Sequence, residues 1–183
     1  MSPKRLFIMN KQKGTKPLRP RDLNPKSEVN PLVTVLHIDD DPNDTELLRA
    51  AAVKAKVTCA LHNVSDGEQA IAYLSGHGRY SDRKLHPLPV LILLDLKMPR
   101  ATGFEVLSWI RAHPQIGHLP VVVLSGSELQ DDIQRAYAAG ANSYLIKPLG
   151  FSALVDLVRN LQAVWLAGAP LLARGTSGLQ SRL

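Results

Sequence analysis

Cysteine is almost missing from this chain of 183 residues: Cys59 stands alone. A lone cysteine excludes an internal disulfide and any CxxC metal or redox motif, and it suits a reducing cytoplasm. Long apolar runs are missing too. No stretch approaches the roughly 18 residues of a membrane span, and the basic start is not followed by the apolar segment of a secretory signal. The six histidines, His37, His62, His77, His86, His113 and His118, form no HExxH or other ligand pattern. They read as strand and loop residues. No internal repeat is apparent. These absences leave a soluble, cytoplasmic protein as the expectation.

A net excess of charge is also absent from most of the chain. The formal charge is +6, yet residues 1–30 hold eight Lys or Arg against Asp22 and Glu28, which accounts for all of it. Residues 31–183 hold 14 basic and 14 acidic side chains. With Pro3, Pro17, Pro20 and Pro25 and few apolar residues, 1–30 reads as a disordered basic arm. Residues 168–183, GAPLLARGTSGLQSRL, read as a flexible tail. No recognition helix or aromatic platform accompanies the arm's charges, so nucleic-acid binding is not expected; nor is a membrane.

What the chain does contain is alternation. Apolar strand candidates at 32–38, 57–63, 90–95, 120–125 and 143–147 are each followed by a helical pattern. The first, third and fourth are rich in Val, Ile or Leu, as expected of strands covered on both faces. The first helix, about 43–55, aligns Leu47, Leu48, Ala51, Ala52 and Ala55. Asp66 with Gln69, Thr102 with Glu105 and Ser127 with Gln130 have the spacing of capping boxes at the next three helix starts. Gly140 suits the end of the fourth helix. A fifth, about 151–166, aligns Leu154, Val158, Leu161 and Trp165. Alternating elements of this kind imply a parallel sheet with right-handed crossovers, and 31–167 reads as one α/β domain.

Chemistry collects where the apolar runs end. Asp39 and Asp40 follow LVTVLHI, Asp95 follows LILL, Ser125 closes PVVVLS, and Lys147 with Pro148 follows SYLI. Open α/β sheets hold ligands outside the carboxyl ends of their strands. Three carboxylates side by side repel one another unless a cation joins them; with only oxygen ligands on offer, a hard ion such as Mg²⁺ fits. The dipole of the first helix accounts for Asp41 and Asp44. It does not account for Asp95, whose loop runs seven residues before its helix. A carboxylate there is placed to attack phosphorus and carry an acyl phosphate, with Mg²⁺, Lys147 and the Ser125 hydroxyl neutralising the phosphoryl oxygens. Lys147–Pro148 is a candidate cis peptide.

The joint order DD, D-x-K-M-P, S-G and K-P, each after an apolar run, resembles the receiver domain of two-component response regulators over about residues 31–167. The matching stretches are VLHIDDDP, LILLDLKMPRATGFEVL, PVVVLSGS and GANSYLIKP. The resemblance implies a five-stranded parallel sheet of flavodoxin-like order 2-1-3-4-5. It implies a phosphoacceptor, Asp95, served by a sensor histidine kinase, and Mg²⁺ held by Asp39, Asp40, Asp95 and the Lys97 carbonyl. Ser125 and Lys147 then contact the phosphoryl group, and Tyr144 matches the aromatic that rotates inward when Ser125 shifts. The chain is similar to stand-alone receivers, more narrowly to regulators paired with phytochrome-type kinases, bacteriophytochromes included. In such relatives the face of the fourth helix, fifth strand and fifth helix often forms a homodimer; here Trp165 is the candidate contact. Lys97, two residues beyond the acceptor, is expected to alter the lifetime of the aspartyl phosphate. Intrinsic autodephosphorylation is expected, without conventional enzymatic turnover. The rival reading is an aspartyl-phosphate phosphohydrolase. It commonly needs a second acid two residues after the nucleophile, and that position is Lys97.

Overall fold

The computed structural model describes residues 33–98 and 102–166. The expected arm at 1–30 and tail at 168–183 lie outside the described residues.

Five parallel strands pair in the order β2-β1-β3-β4-β5. They are β1 (Thr34–Ile38), β2 (Ala60–Val64), β3 (Leu91–Leu94), β4 (Val121–Ser125) and β5 (Ser143–Ile146). Helices α1 (Pro42–Ala55), α2 (Gly67–Ser75), α3 (Gly103–Ala112), α4 (Gln130–Ala138) and α5 (Phe151–Leu161) alternate with them. The α/β, flavodoxin-like expectation holds, strand order included. β1, β3 and β4 are buried at every position, because helices cover both sheet faces.

Side chains alternate between the two faces. Val35, Leu91, Leu93 and Val122 pack with Leu48, Ala51, Val155 and Val158 of α1 and α5. Leu36, Ile38, Ile92, Leu94, Val121 and Val123 pack with Ala70, Val106, Leu107 and Ala136 of α2, α3 and α4. Leu47, assigned to the buried stripe of α1, is instead exposed; the stripe runs through Leu48, Ala51, Ala52 and Ala55, and Leu47 lies one residue off it.

Local rules set most boundaries. Thr102 and Glu105 form a complete capping box on α3, and the Asp66 carboxylate accepts from the Gln69 N–H at 2.8 Å to start α2. β2 begins at Ala60 rather than residue 57. Lys56 leaves α1 in the left-handed region at φ 58°, and the Val57 N–H returns to the Ala52 carbonyl, so this stretch closes the helix instead of extending the sheet. The continuous helix expected over 151–166 is α-helical to Leu161 and then makes a π-helical turn, Gln162–Leu166. Trp165 packs half-buried against the α1/α5 core. The long connection before β3 is anchored by Arg83, which donates to the carbonyls of Tyr73, Leu74 and His86 and so satisfies the end of α2.

Candidate functional site

The chain runs from β1 outward to β2, then crosses back to place β3 on the other side of β1. The strand order reverses there, and a crevice opens at the carboxyl ends of β1 and β3. Asp39 follows one strand and Asp95 the other. Both backbones are held: the Asp39 N–H donates to the Val64 carbonyl at 3.0 Å, and the Asp95 N–H to the Ile38 carbonyl at 2.9 Å. Alternation continues through these pairs. It sends His37, Asp39, Asp95 and Lys147 toward the α1/α5 side, and Ser125 and Tyr144 toward α4.

Asp95 is buried, yet both of its oxygens are engaged. Oδ1 accepts from the Ser125 hydroxyl at 2.8 Å and from the Lys97 backbone N–H at 3.1 Å. Oδ2 accepts from Lys147 Nζ at 2.7 Å. Lys147 bonds two further carboxylates, Asp39 at 2.8 Å and Asp44 at 2.7 Å, so each ammonium hydrogen has its own acceptor. Burial alone would pull the Lys147 pKa down; three hydrogen-bonded carboxylates outweigh it and push it up. Burial alone would raise Asp39, but hydrogen bonds from His37, Lys147 and the Asp41 N–H hold it down at about 2.

The sequence therefore identified Asp95, Ser125, Lys147 and Asp39 as one group, and they are one group. Asp40 stands apart, exposed at the mouth. The carboxylates converge on Lys147 rather than on a shared empty centre; among the described residues no cluster of three acidic, His or Cys side chains is arranged to hold a metal ion. Lys147 reaches the site through a trans peptide to Pro148: its N–H continues the ladder to the Ser125 carbonyl at 2.9 Å, so β-geometry already directs its stem and the proposed cis bond is absent.

Tyr144 is turned inward. Its hydroxyl donates to the Ser127 carbonyl at 2.8 Å, and burial raises its pKa. The Ser127–Gln130 capping box is not formed: Leu129 is the N-cap of α4 without a side-chain bond, and the Ser127 hydroxyl bonds Asp132 at 2.5 Å. Ser127 is spent on fixing the loop between Ser125 and α4.

Three supporting residues escaped the sequence reading. Asp44 was assigned to the dipole of α1; it lies in the first turn of that helix, and its carboxylate reaches Lys147 at 2.7 Å. His37 is fully buried; its Nε2 lies 3.2 Å from Asp39 and its Nδ1 3.3 Å from the Thr45 hydroxyl. A histidine in an otherwise apolar strand was the available signal. Gly103 starts α3 directly against Asp95: a Cβ there would collide with the Asp95 carbonyl and come within 2.7 Å of Leu96 Cα.

A buried aspartate bonded by a serine and a lysine at a parallel-sheet switch point matches a known family in sequence as well as in shape. The model of the response regulator receiver domain matches residues 35–159. The chain belongs to the response regulator receiver family. This receiver is 34% identical over 146 residues to Response regulator Rcp1 of Synechocystis sp., covering 80% of this chain and 97% of that protein. Its fold is similar to the crystal structure of response regulator RPA3017 in red light signaling of R. palustris, with TM-score 0.71 and 38% identity, covering 74% of this chain and 95% of that one. The phosphorylated cyanobacterial phytochrome response regulator RcpA gives TM-score 0.69 and 34% identity over the same shares. The Mn²⁺-bound form of Rcp1 gives 0.66 and 32%, again over 74% and 95%.

Proposed function

We propose that this receiver is a phosphorylation-dependent signalling switch whose acceptor is Asp95, served by the phosphohistidine of a phytochrome-type sensor histidine kinase. The observation that carries the proposal is the arrangement around Asp95, with Ser125 on one oxygen and Lys147 on the other. An Asp95 oxygen forms a bond to phosphorus as the P–N bond to the kinase histidine breaks, and the imidazole leaves with the electron pair. Ser125 and Lys147, already within bonding distance of the carboxylate, then turn to the phosphoryl oxygens. They are in place before the reaction, so little reorganisation remains for the transition state. Two relatives named for phytochrome signalling or red light support the kinase class.

Oxygen donors at the mouth fit a hard divalent cation: Asp95, the exposed Asp40 and the Lys97 carbonyl would hold Mg²⁺, with waters completing the shell. Asp39, whose oxygens already accept from His37, Lys147 and Asp41, would act mainly through its charge. The ion supplies neutralisation of equatorial oxygen charge when bound; a related receiver is described in a Mn²⁺-bound form.

Return to the resting state is by autodephosphorylation. Water attacks phosphorus, the bond to the Asp95 oxygen breaks, and inorganic phosphate leaves. The exposed Lys97 side chain beside the acceptor tunes that step, and unchanged decay in Lys97→Ala would count against this. Output is through a homodimer of the α4-β5-α5 face in the cytoplasm. Tyr137, Ile146, Leu149 and Phe151 on this face are exposed, which favours a partner there. The phosphohydrolase alternative lacks its second acid at position 97 and is not favoured. The test is transfer from an autophosphorylated bacteriophytochrome kinase followed on phosphate-affinity gels. Label should move to wild type within seconds to minutes and not to Asp95→Asn; transfer to both would overturn the assignment.

A further inference from the structure

The three acids on Lys147 are not equivalent, and the difference lies in where each meets solvent. The Asp39 side chain is sealed, that of Asp95 is 9% exposed, and that of Asp44 is 36% exposed. Asp44 belongs to the first turn of α1. Its Oδ2 is fixed by Lys147 at 2.7 Å, the same distance at which Lys147 holds Asp95. The two carboxylate oxygens are therefore no farther apart than twice that distance. A phosphodonor approaching Asp95 must bring its own negative charge close to Asp44, one of three carboxylates that share the single Lys147 ammonium, so the group keeps a net negative charge that water only partly screens.

We propose that Asp44 sets donor selectivity: its fixed charge at the mouth disfavours free dianionic phosphodonors relative to donors that carry a compensating positive charge on the leaving group. This rests on Asp95 being the phosphoacceptor, and it deepens that reading by naming the class of donor the site takes. The protonated imidazole of a phosphohistidine is such a leaving group; an acyl phosphate is not. With acetyl phosphate, an Asp95 oxygen forms the O–P bond and the P–O bond to acetate breaks, acetate departing with the electron pair. With phosphoramidate, whose nitrogen is protonated near neutral pH, the P–N bond breaks and ammonia departs.

The test compares initial phosphorylation rates of the full chain at saturating Mg²⁺, read by intact mass, for acetyl phosphate and phosphoramidate. Asp44→Asn should react about three- to tenfold faster than wild type with acetyl phosphate, the range expected of one partly screened charge a few ångströms from a dianion. Its rate with phosphoramidate should change by less than about twofold, because that donor's own positive charge offsets the repulsion. The difference between donors should shrink as salt is raised. Asp44→Ser should behave as Asp44→Asn does, and Asp44→Glu should keep the wild-type donor ratio. Equal acceleration of both donors would mean that Asp44 acts only by restraining Lys147; that result, or no acceleration with acetyl phosphate, overturns the proposal. Wild type taking no phosphoryl group on Asp95 from either donor is a separate result, and it would remove the phosphoacceptor reading itself.

Discussion

The Tyr144 hydroxyl donates to the Ser127 carbonyl at 2.8 Å, two residues beyond the Ser125 hydroxyl that holds Asp95. Acceptor, hydroxyl residue, loop and aromatic are thus joined by direct bonds. Tyr144 also reaches α4 from its backbone, since its N–H donates to the Tyr137 hydroxyl at 3.2 Å. A shift of Ser125 toward a phosphoryl oxygen therefore has a short physical route to α4 and to the output face proposed there.

Replacing Tyr144 by Phe keeps the ring and removes the bond to Ser127. The expected loss is about 1 kcal/mol of local stability, the usual net worth of one such bond. Hydrogen exchange of the loop before α4 should accelerate severalfold while the central strands are unchanged. Unaltered exchange there would show that the bond does not hold the loop.

Gly103 packs against the Asp95 backbone. A methyl group at this position would push on the Asp95 backbone, which cannot yield without losing its bond to the Ile38 carbonyl. Gly103→Ala should cost about 2 kcal/mol or more, in the range of overpacked or strained sites, and should slow phosphorylation of Asp95. Wild-type stability by urea unfolding would contradict this packing.

Much of this was legible in the sequence because the local and global signals agree. Continuous apolar runs gave β1, β3 and β4, and the acids, Ser125 and Lys147 at their ends became one site once the strands were paired. β2 resisted because Lys56 and Val57 serve the end of α1 before they can serve the sheet. α4 resisted because the Ser127 hydroxyl is diverted from its capping position to Asp132. Asp44 and Gly103 resisted for a different reason. Their roles depend on how α1 and α3 pack over the strand ends, a distance that spacing along the chain does not encode.

Magnesium should report on Asp40. Saturating the proposed site at about a hundredfold over its Kd stabilises the folded state by about 2.7 kcal/mol, so the wild-type Tm should rise on adding Mg²⁺. Asp40→Asn should lose most of that rise. In chelator it should be at least as stable as wild type, since one negative charge has left a site that already holds Asp39, Asp44 and Asp95. An equal rise in both proteins would exclude Asp40 as a ligand.

At high pH the stabilising group to watch is Tyr73, away from the site. It is fully buried, its hydroxyl donates to the Pro87 carbonyl at 3.0 Å, and burial raises its pKa from 10.0 to about 12. Below 10 both folded and unfolded chains keep the phenol proton and the stabilisation is complete. Between 10 and about 12 the unfolded chain releases it first, so stability falls as pH rises, by about 2–3 kcal/mol in all. Urea unfolding across this interval should show a smaller fall for Tyr73→Phe than for wild type. Parallel curves would mean that Tyr73 is not the titrating group.

The central claim is that Asp95 is the acceptor and that its neighbours make it one. Intact-mass measurement after incubation with acetyl phosphate and Mg²⁺ tests it most directly. The account predicts a single adduct of about 80 Da, the mass of one phosphoryl group, on wild type, lost with chelator and absent from Asp95→Asn. An adduct of the same mass on Asp95→Asn, or none on wild type with Mg²⁺ present, would contradict it.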